Sequence, residues 1–154
     1  MNDWASTQRL AARVSLAEGL VVQGEVHLQP RVALHDGPET PLEMLNRPDA
    51  FFVLNLASGD VVFIAKAQVA AFAYRGAAEE EDPDRVHAAA HIPLLVMMVG
   101  GAEYKGVAIS ELPPARSRAL DFLNGGERFF TLVTDDGSLC INRGFVRAAR
   151  PLSS

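Results

Sequence analysis

The stretch Leu42-Glu43-Met44-Leu45-Asn46-Arg47-Pro48-Asp49-Ala50-Phe51-Phe52-Val53-Leu54 returns as Leu120-Asp121-Phe122-Leu123-Asn124-Gly125-Gly126-Glu127-Arg128-Phe129-Phe130-Thr131-Leu132. Both copies read apolar, acidic, apolar, Leu, Asn, then four linking residues, then Phe-Phe-x-Leu. The match extends to both sides. Gly19 and Gly24 are five apart, as are Gly101 and Gly106; Phe52 and Gly59 are seven apart, as are Phe130 and Gly137. After a one-residue slip near the turn, Ile64-Ala65-Lys66-Ala67-Gln68-Val69 aligns with Ile141-Asn142-Arg143-Gly144-Phe145-Val146. An internal repeat of this length implies one small supersecondary unit used twice, with each copy burying its face alone or against its sister.

The unit itself is β-rich. In the first copy Val14, Leu16, Leu20, Val22, Val26 and Leu28 alternate with polar or small residues around Glu18-Gly19, the pattern of a β-hairpin. Thr40-Pro41-Leu42-Glu43 is a helix start: a threonine oxygen for an orphan amide, proline at the first helical position, and a glutamate reaching back. Asn46 and Pro48 stop that helix, and asparagine tolerates the left-handed conformation just beyond a helix end. Strands follow at residues 51–56, 61–65 and 69–74, with Ser58-Gly59-Asp60 as a turn. The second copy predicts a hairpin around Gly100-Gly101, a helix from Arg118 to Leu123 capped by Ser117, and strands at 129–134, 139–142 and 145–149. Asp135-Asp136-Gly137 is its hairpin turn. The expected architecture is mainly β with short helices. It comprises two repeated small β-barrel-like units, each strand-strand-short helix-strand-strand-strand. They occupy 13–74 and 93–152, joined by an acidic, Ala-rich linker at 75–92. Residues 1–12 read as a polar leader in which Trp4 packs on the domain.

Composition excludes several classes. Nineteen acidic against fourteen basic residues leave a net charge of −5, without the basic footprint of a general nucleic-acid or anionic-membrane binder. A single cysteine, Cys140, forbids an intramolecular disulfide framework. The N-terminus lacks a cationic stretch followed by an apolar run, and no apolar run reaches the roughly 20 residues of a membrane helix. The expectation is a soluble, cytoplasmic protein, bacterial in style.

The segment Val99-Gly100-Gly101-Ala102-Glu103-Tyr104-Lys105-Gly106-Val107 resembles the opening hairpin of Sm-like small β-barrels, where an apolar-x-Gly-x-x-apolar-x-Gly pattern recurs. Ile141-Asn142-Arg143-Gly144-Phe145-Val146 resembles their closing segment, whose Arg-Gly contributes to an RNA-binding loop. The first copy has Ala65-Lys66-Ala67 at that place. The resemblance implies a small-barrel fold and, as an alternative function, RNA binding by the arginines of the second copy: Arg143, Arg147 and Arg150. A solvated face paired with the acidic linker accounts for those three residues equally well.

Adjacent strand residues point to opposite faces. Phe52, Leu54 and Leu56 share one phase with Phe130 and Leu132 and belong to the core. Phe51 and Val53, with Phe129 and Val133, then lie on the other face. An exposed phenyl ring forgoes about 1.5–3 kcal/mol of burial, so that face requires a cover: the sister repeat, the linker or another subunit. These four residues are the interface candidates. Asn46 and Asn124 read as helix stops. His87 and His91 would share a face of a helical linker but have no third ligand, so no metal site is expected. Cys140 reads as a buried structural thiol. No nucleophile elbow, phosphate loop or dinucleotide fingerprint occurs, so neither catalytic residues nor a cofactor are expected. The resulting expectation is a non-enzymatic protein-binding or scaffold module whose partner is another protein or a second copy of itself.

Overall fold

The computed structural model describes residues 8–29, 39–75, 90–110 and 119–152. Trp4, His35, the acidic run 79–82, His87, Pro113-Pro114 and Ser117 lie outside the described residues. The same series of elements runs twice. The first half comprises β1 (Gln8–Leu16), β2 (Val21–Leu28), helix α1 (Pro41–Asn46), β3 (Phe51–Asn55), β4 (Val61–Ala65) and β5 (Val69–Tyr74). The second comprises β6 (Ala90–Met98), β7 (Glu103–Ser110), helix α2 (Ala119–Asn124), β8 (Phe129–Thr134), β9 (Gly137–Asn142) and β10 (Val146–Pro151). A 3-10 turn links the last two strands of each half, at Lys66–Gln68 and Arg143–Phe145. Two expected boundaries move. β1 begins at Gln8, inside the stretch read as leader, and β6 begins at Ala90, inside the stretch read as linker. In both cases long antiparallel pairing to the next strand extends the element beyond its obvious apolar run.

Local chemistry explains the elements. Glu18 and Gly19 both take positive φ, 66° and 84°, and close the β1–β2 hairpin; Gly100 and Gly101 do the same between β6 and β7. The α1 capping box forms as the sequence predicts: Glu43 N donates to Thr40 Oγ1 (3.1 Å) and Thr40 N donates to Glu43 Oε1 (2.8 Å). The glycines that recur five residues after the hairpin glycines have a different purpose. A Cβ at Gly24 would sit 2.6 Å from Asn55 O, and one at Gly106 would sit 2.4 Å from Val133 O. Only a residue without Cβ lets β2 press against β3, and β7 against β8, at that distance.

All the described strands join one antiparallel sheet of ten, in the order β10-β6-β7-β8-β9-β5-β1-β2-β3-β4. The sheet is open, with β10 and β4 at its edges. The mainly β expectation holds, and of the two arrangements the repeat allowed, separate units or units packed against each other, the described strands show one continuous open sheet. The cause lies in the 3-10 turn after β4, which sends β5 away from β4 to pair with β1 on one side and β9 on the other. β5 and β9 therefore stitch the halves together: Ala71 opposes Ile141, Phe72 opposes Cys140, Ala73 opposes Leu139 and Tyr74 opposes Ser138.

Two hydrophobic cores result. The first half encloses Val14, Val26, Leu28, Met44, Leu45, Phe52, Leu54 and Phe72, and it also takes in Phe129 and Cys140 from the second half. The second core is built on Ile92, Leu94, Val96, Phe122, Phe130, Leu132 and Ile141, with Ala70 of the first half against it. Period-2 alternation permits this sharing. Along β8, Phe129 enters one core and Phe130 the other; along β9, Cys140 and Ile141 divide in the same way. Among the described residues, no helix is long and apolar enough to cross a membrane.

Candidate functional site

The two outward phenylalanines, identical in the sequence pattern, meet opposite fates. Phe129 is 2% exposed, because the first half covers it. Its backbone is also held there: Asn46 Nδ2 donates to Phe129 O (3.2 Å), and Phe129 N donates to Asn46 Oδ1 (3.0 Å). Asn46 is thus not the left-handed helix stop that the sequence suggested. α1 ends with Arg47 in extended backbone, and Glu18 is the one non-glycine residue with positive φ among those described. Freed from capping, the Asn46 amide serves as a two-point clamp on the neighbouring half. A second asparagine reinforces the junction, with Asn142 Nδ2 donating to Val69 O at 2.9 Å.

Phe51 has no such cover and is 57% exposed. It is not alone. Val53 on the same strand is 45% exposed, and Val61 and Phe63 on β4 are 51% and 70% exposed. The β3–β4 pairing sets Val53 opposite Phe63, Phe51 opposite Ala65 and Asn55 opposite Val61, so these side chains share one sheet face. The equivalent face of the second half is closed: Phe129, Ser138, Cys140 and Asn142 are buried, and Val133 is half-buried. Of the four residues proposed from sequence, the structure sets Phe51 and Val53 in an open patch and Phe129 at the internal junction, while Val133 is half-buried on β8 between β7 and β9. Val61 and Phe63 were missed as surface residues. Their signal was available, since strand alternation puts Val61, Phe63 and Ala65 in one phase of β4.

The three candidate arginines separate too. Arg143 lies with its guanidinium 4.9 Å from the ring centres of both Phe122 and Phe130, and its Nε donates to Glu127 O at 2.7 Å. Burial lowers its pKa from the ordinary arginine value. It braces the chain after α2 against the second core. Lys66 occupies the same place in the first half. It is 1% exposed, and its Nζ donates to Met44 O (2.8 Å), Arg47 O (3.3 Å) and Asp49 Oδ1 (2.9 Å). The cation in each 3-10 turn therefore ties down the chain around the preceding helix: Lys66 binds carbonyls at the end of α1, and Arg143 binds the carbonyl of Glu127 in the link after α2. Arg147 and Arg150 stand exposed on β10, at the opposite edge of the sheet from Phe63.

The remaining candidates are structural. Cys140 is a fully buried thiol in the first core, outside any disulfide and with its Sγ 4.0 Å from Thr131 Oγ1. His91 lies in β6 opposite Ile109 rather than in a helix. Asp135 and Asp136 form the β8–β9 turn, where Asp136 N donates to Thr134 Oγ1 at 3.2 Å. Among the described residues, no three His, Cys, Asp or Glu side chains gather in a way that would hold a metal ion. An open groove of about 1130 Å3 runs between the halves, past Arg13, Glu25, Arg75, Glu103, Lys105 and Asp136. Its charges balance, three against three, and its lining contains neither histidine nor cysteine.

Compared with protein-family models, curated proteins and solved structures, the chain matches none.

Proposed function

We propose that this protein is a non-enzymatic protein-binding or scaffold module that works through the exposed face of β3 and β4. One observation carries the reading: Phe51, Val53, Val61 and Phe63 form a contiguous apolar patch at the end of a sheet. Isolated exposed apolar residues are ordinary, but grouped ones rimmed by polar surface mark interaction sites. The edge itself is unguarded. β4 reads Val-Val-Phe-Ile-Ala, without the lysine, proline or bulge that keeps edge strands from pairing. On this reading each five-stranded half is a small barrel-like unit left incomplete. That view is supported by the repeated element order, the two cores and the glycine-permitted close approach of β2 to β3 and β7 to β8. The cytoplasm is the proposed location.

The test is a photo-crosslinking amino acid placed at position 63 in the full chain, in the cells that make it. Discrete protein adducts from position 63, absent from a control at exposed Glu18, are expected. No adduct above that control would overturn the reading. RNA binding by the arginines is the weaker proposal, because Arg143 already spans two aromatic rings and only Arg147 and Arg150 remain exposed. It requires affinity for short RNA that falls with salt; an absence of binding at low salt removes it.

A further inference from the structure

The internal junction supplies a template for the patch. There, one half offers β5 and the asparagine ending its helix, and the other half offers the edge strand β9 and the outward phenylalanine of β8. The two ends of the sheet carry the corresponding parts, without a pairing strand among the described residues. β10 is the counterpart of β5, and α2 ends in Asn124, the counterpart of Asn46. β4 is the counterpart of β9, and Phe51 that of Phe129. Asn124 is exposed, and its side chain has no hydrogen-bond partner among the described residues. Leu120, on the same helix, is 68% exposed.

We propose that copies of this chain assemble head to tail, β4 of one copy adding antiparallel to β10 of the next in the register that β9 makes with β5. The inference rests on the reading of β3–β4 as a protein-binding face and names its partner. Transferring the register sets Ile64 opposite Ala148 of the next copy, Phe63 opposite its Ala149, and Val62 opposite its Arg150. Side-chain size supports this match. Within the chain the large residue is on the receiving strand, Phe72 opposite Cys140. At the proposed junction the sizes exchange, with Phe63 on the incoming strand opposite Ala149. Phe51 then enters beside the second core, as Phe129 enters the first, and Asn124 of the next copy reaches the Phe51 backbone.

Charge argues against the symmetric alternative at β10. Antiparallel pairing of two β10 strands about Ala148 and Ala149 would put Arg147 opposite Arg150 twice, a like-charge arrangement that destabilises sheets. Arg147 and Arg150 of β10 stand where β5 has Ala70 and Ala73, and two further differences from the template are visible. Ala65 stands in place of Asn142, so the hydrogen bond to Val69 O has no equivalent, and Pro151 ends the β10 ladder one pair early. Because the two surfaces differ, the assembly closes into a ring or grows as a filament.

The experiment measures the mass of the full chain by light scattering and native mass spectrometry over a range of concentrations. The wild type is expected to form multiples of the chain. Phe63→Glu and Ala149→Glu should each weaken association by at least about 30-fold, the size of an interface hot spot. Mixed together, the two variants should form a one-to-one dimer that grows no further, since one intact β4 and one intact β10 remain. As a check independent of the Ala149→Glu fold, the double variant Phe63→Cys/Ala149→Cys should form interchain disulfides under mild oxidation. A strictly monomeric wild type, variants that leave the mass unchanged, a mixture that stays monomeric, a symmetric dimer through β4, or no interchain disulfide would each overturn the proposal. A monomer that still crosslinks to another protein from position 63 overturns it alone; a monomer that crosslinks to nothing overturns the binding reading as well.

Discussion

Lys66 shows how much a single buried charge can organise. Its ammonium group gathers two carbonyls at the end of α1 and the Asp49 carboxylate, so one side chain completes a helix and pins the chain that leads into β3. Lys66→Met keeps the volume but leaves Met44 O and Arg47 O without this donor. The expected loss is about 1–3 kcal/mol, the cost of stranded buried acceptors, read as a lower urea midpoint with an unchanged slope. Asp49 is held below its ordinary pKa, chiefly by the hydrogen bond from Lys66. A carboxylate depressed in the folded state contributes stability above its unfolded pKa and loses it as pH falls through the folded value. Asp49→Asn should therefore lower the neutral plateau slightly and flatten the acid limb of the stability profile below about pH 4. An acid limb of unchanged slope would remove this role. Neither Lys66 nor the clamp made by Asn46 was legible beforehand. A lysine beside a strand reads as solvated, and an asparagine at a helix end reads as a cap; only the neighbouring backbone reveals their partners.

Elements were more legible than their partners. The hairpins, the capping box and the phase of the Phe-Phe pairs follow from local rules that need no tertiary information. The strand glycines Gly24 and Gly106 carried a signal in their matched spacing, but its cause is the approach of a second strand. Gly24→Ala and Gly106→Ala should each cost about 1–3 kcal/mol by overpacking, measured by denaturant unfolding. A neutral result at both positions would mean that the backbones separate freely. The two outward phenylalanines give a sharper contrast. Phe129→Ala should cost about 3–5 kcal/mol as a core truncation. Phe51→Ala should change stability by less than about 0.5 kcal/mol when measured at low protein concentration. Equal costs would contradict their different burial.

At the scale of the whole molecule, the shared strands decide the energetics. β5 and β9 each serve both cores, and Phe129 leaves its own half to fill the other. Thermal unfolding should then proceed as one cooperative transition, with calorimetric and van't Hoff enthalpies in agreement. Two resolved transitions would show that the halves behave as separate domains.

The doubled pattern by itself determined that two like sets of strands and a short helix would form, and that one phenylalanine of each pair would face away from its own core. Both are consequences of periodicity, which every chain carries locally. The tertiary structure alone decided that the sets join edge to edge, covering Phe129 and leaving Phe51 open. A linear chain of two units has one internal junction and two free ends. Sequence symmetry cannot tell which copy of a repeated residue falls at the junction and which at an end.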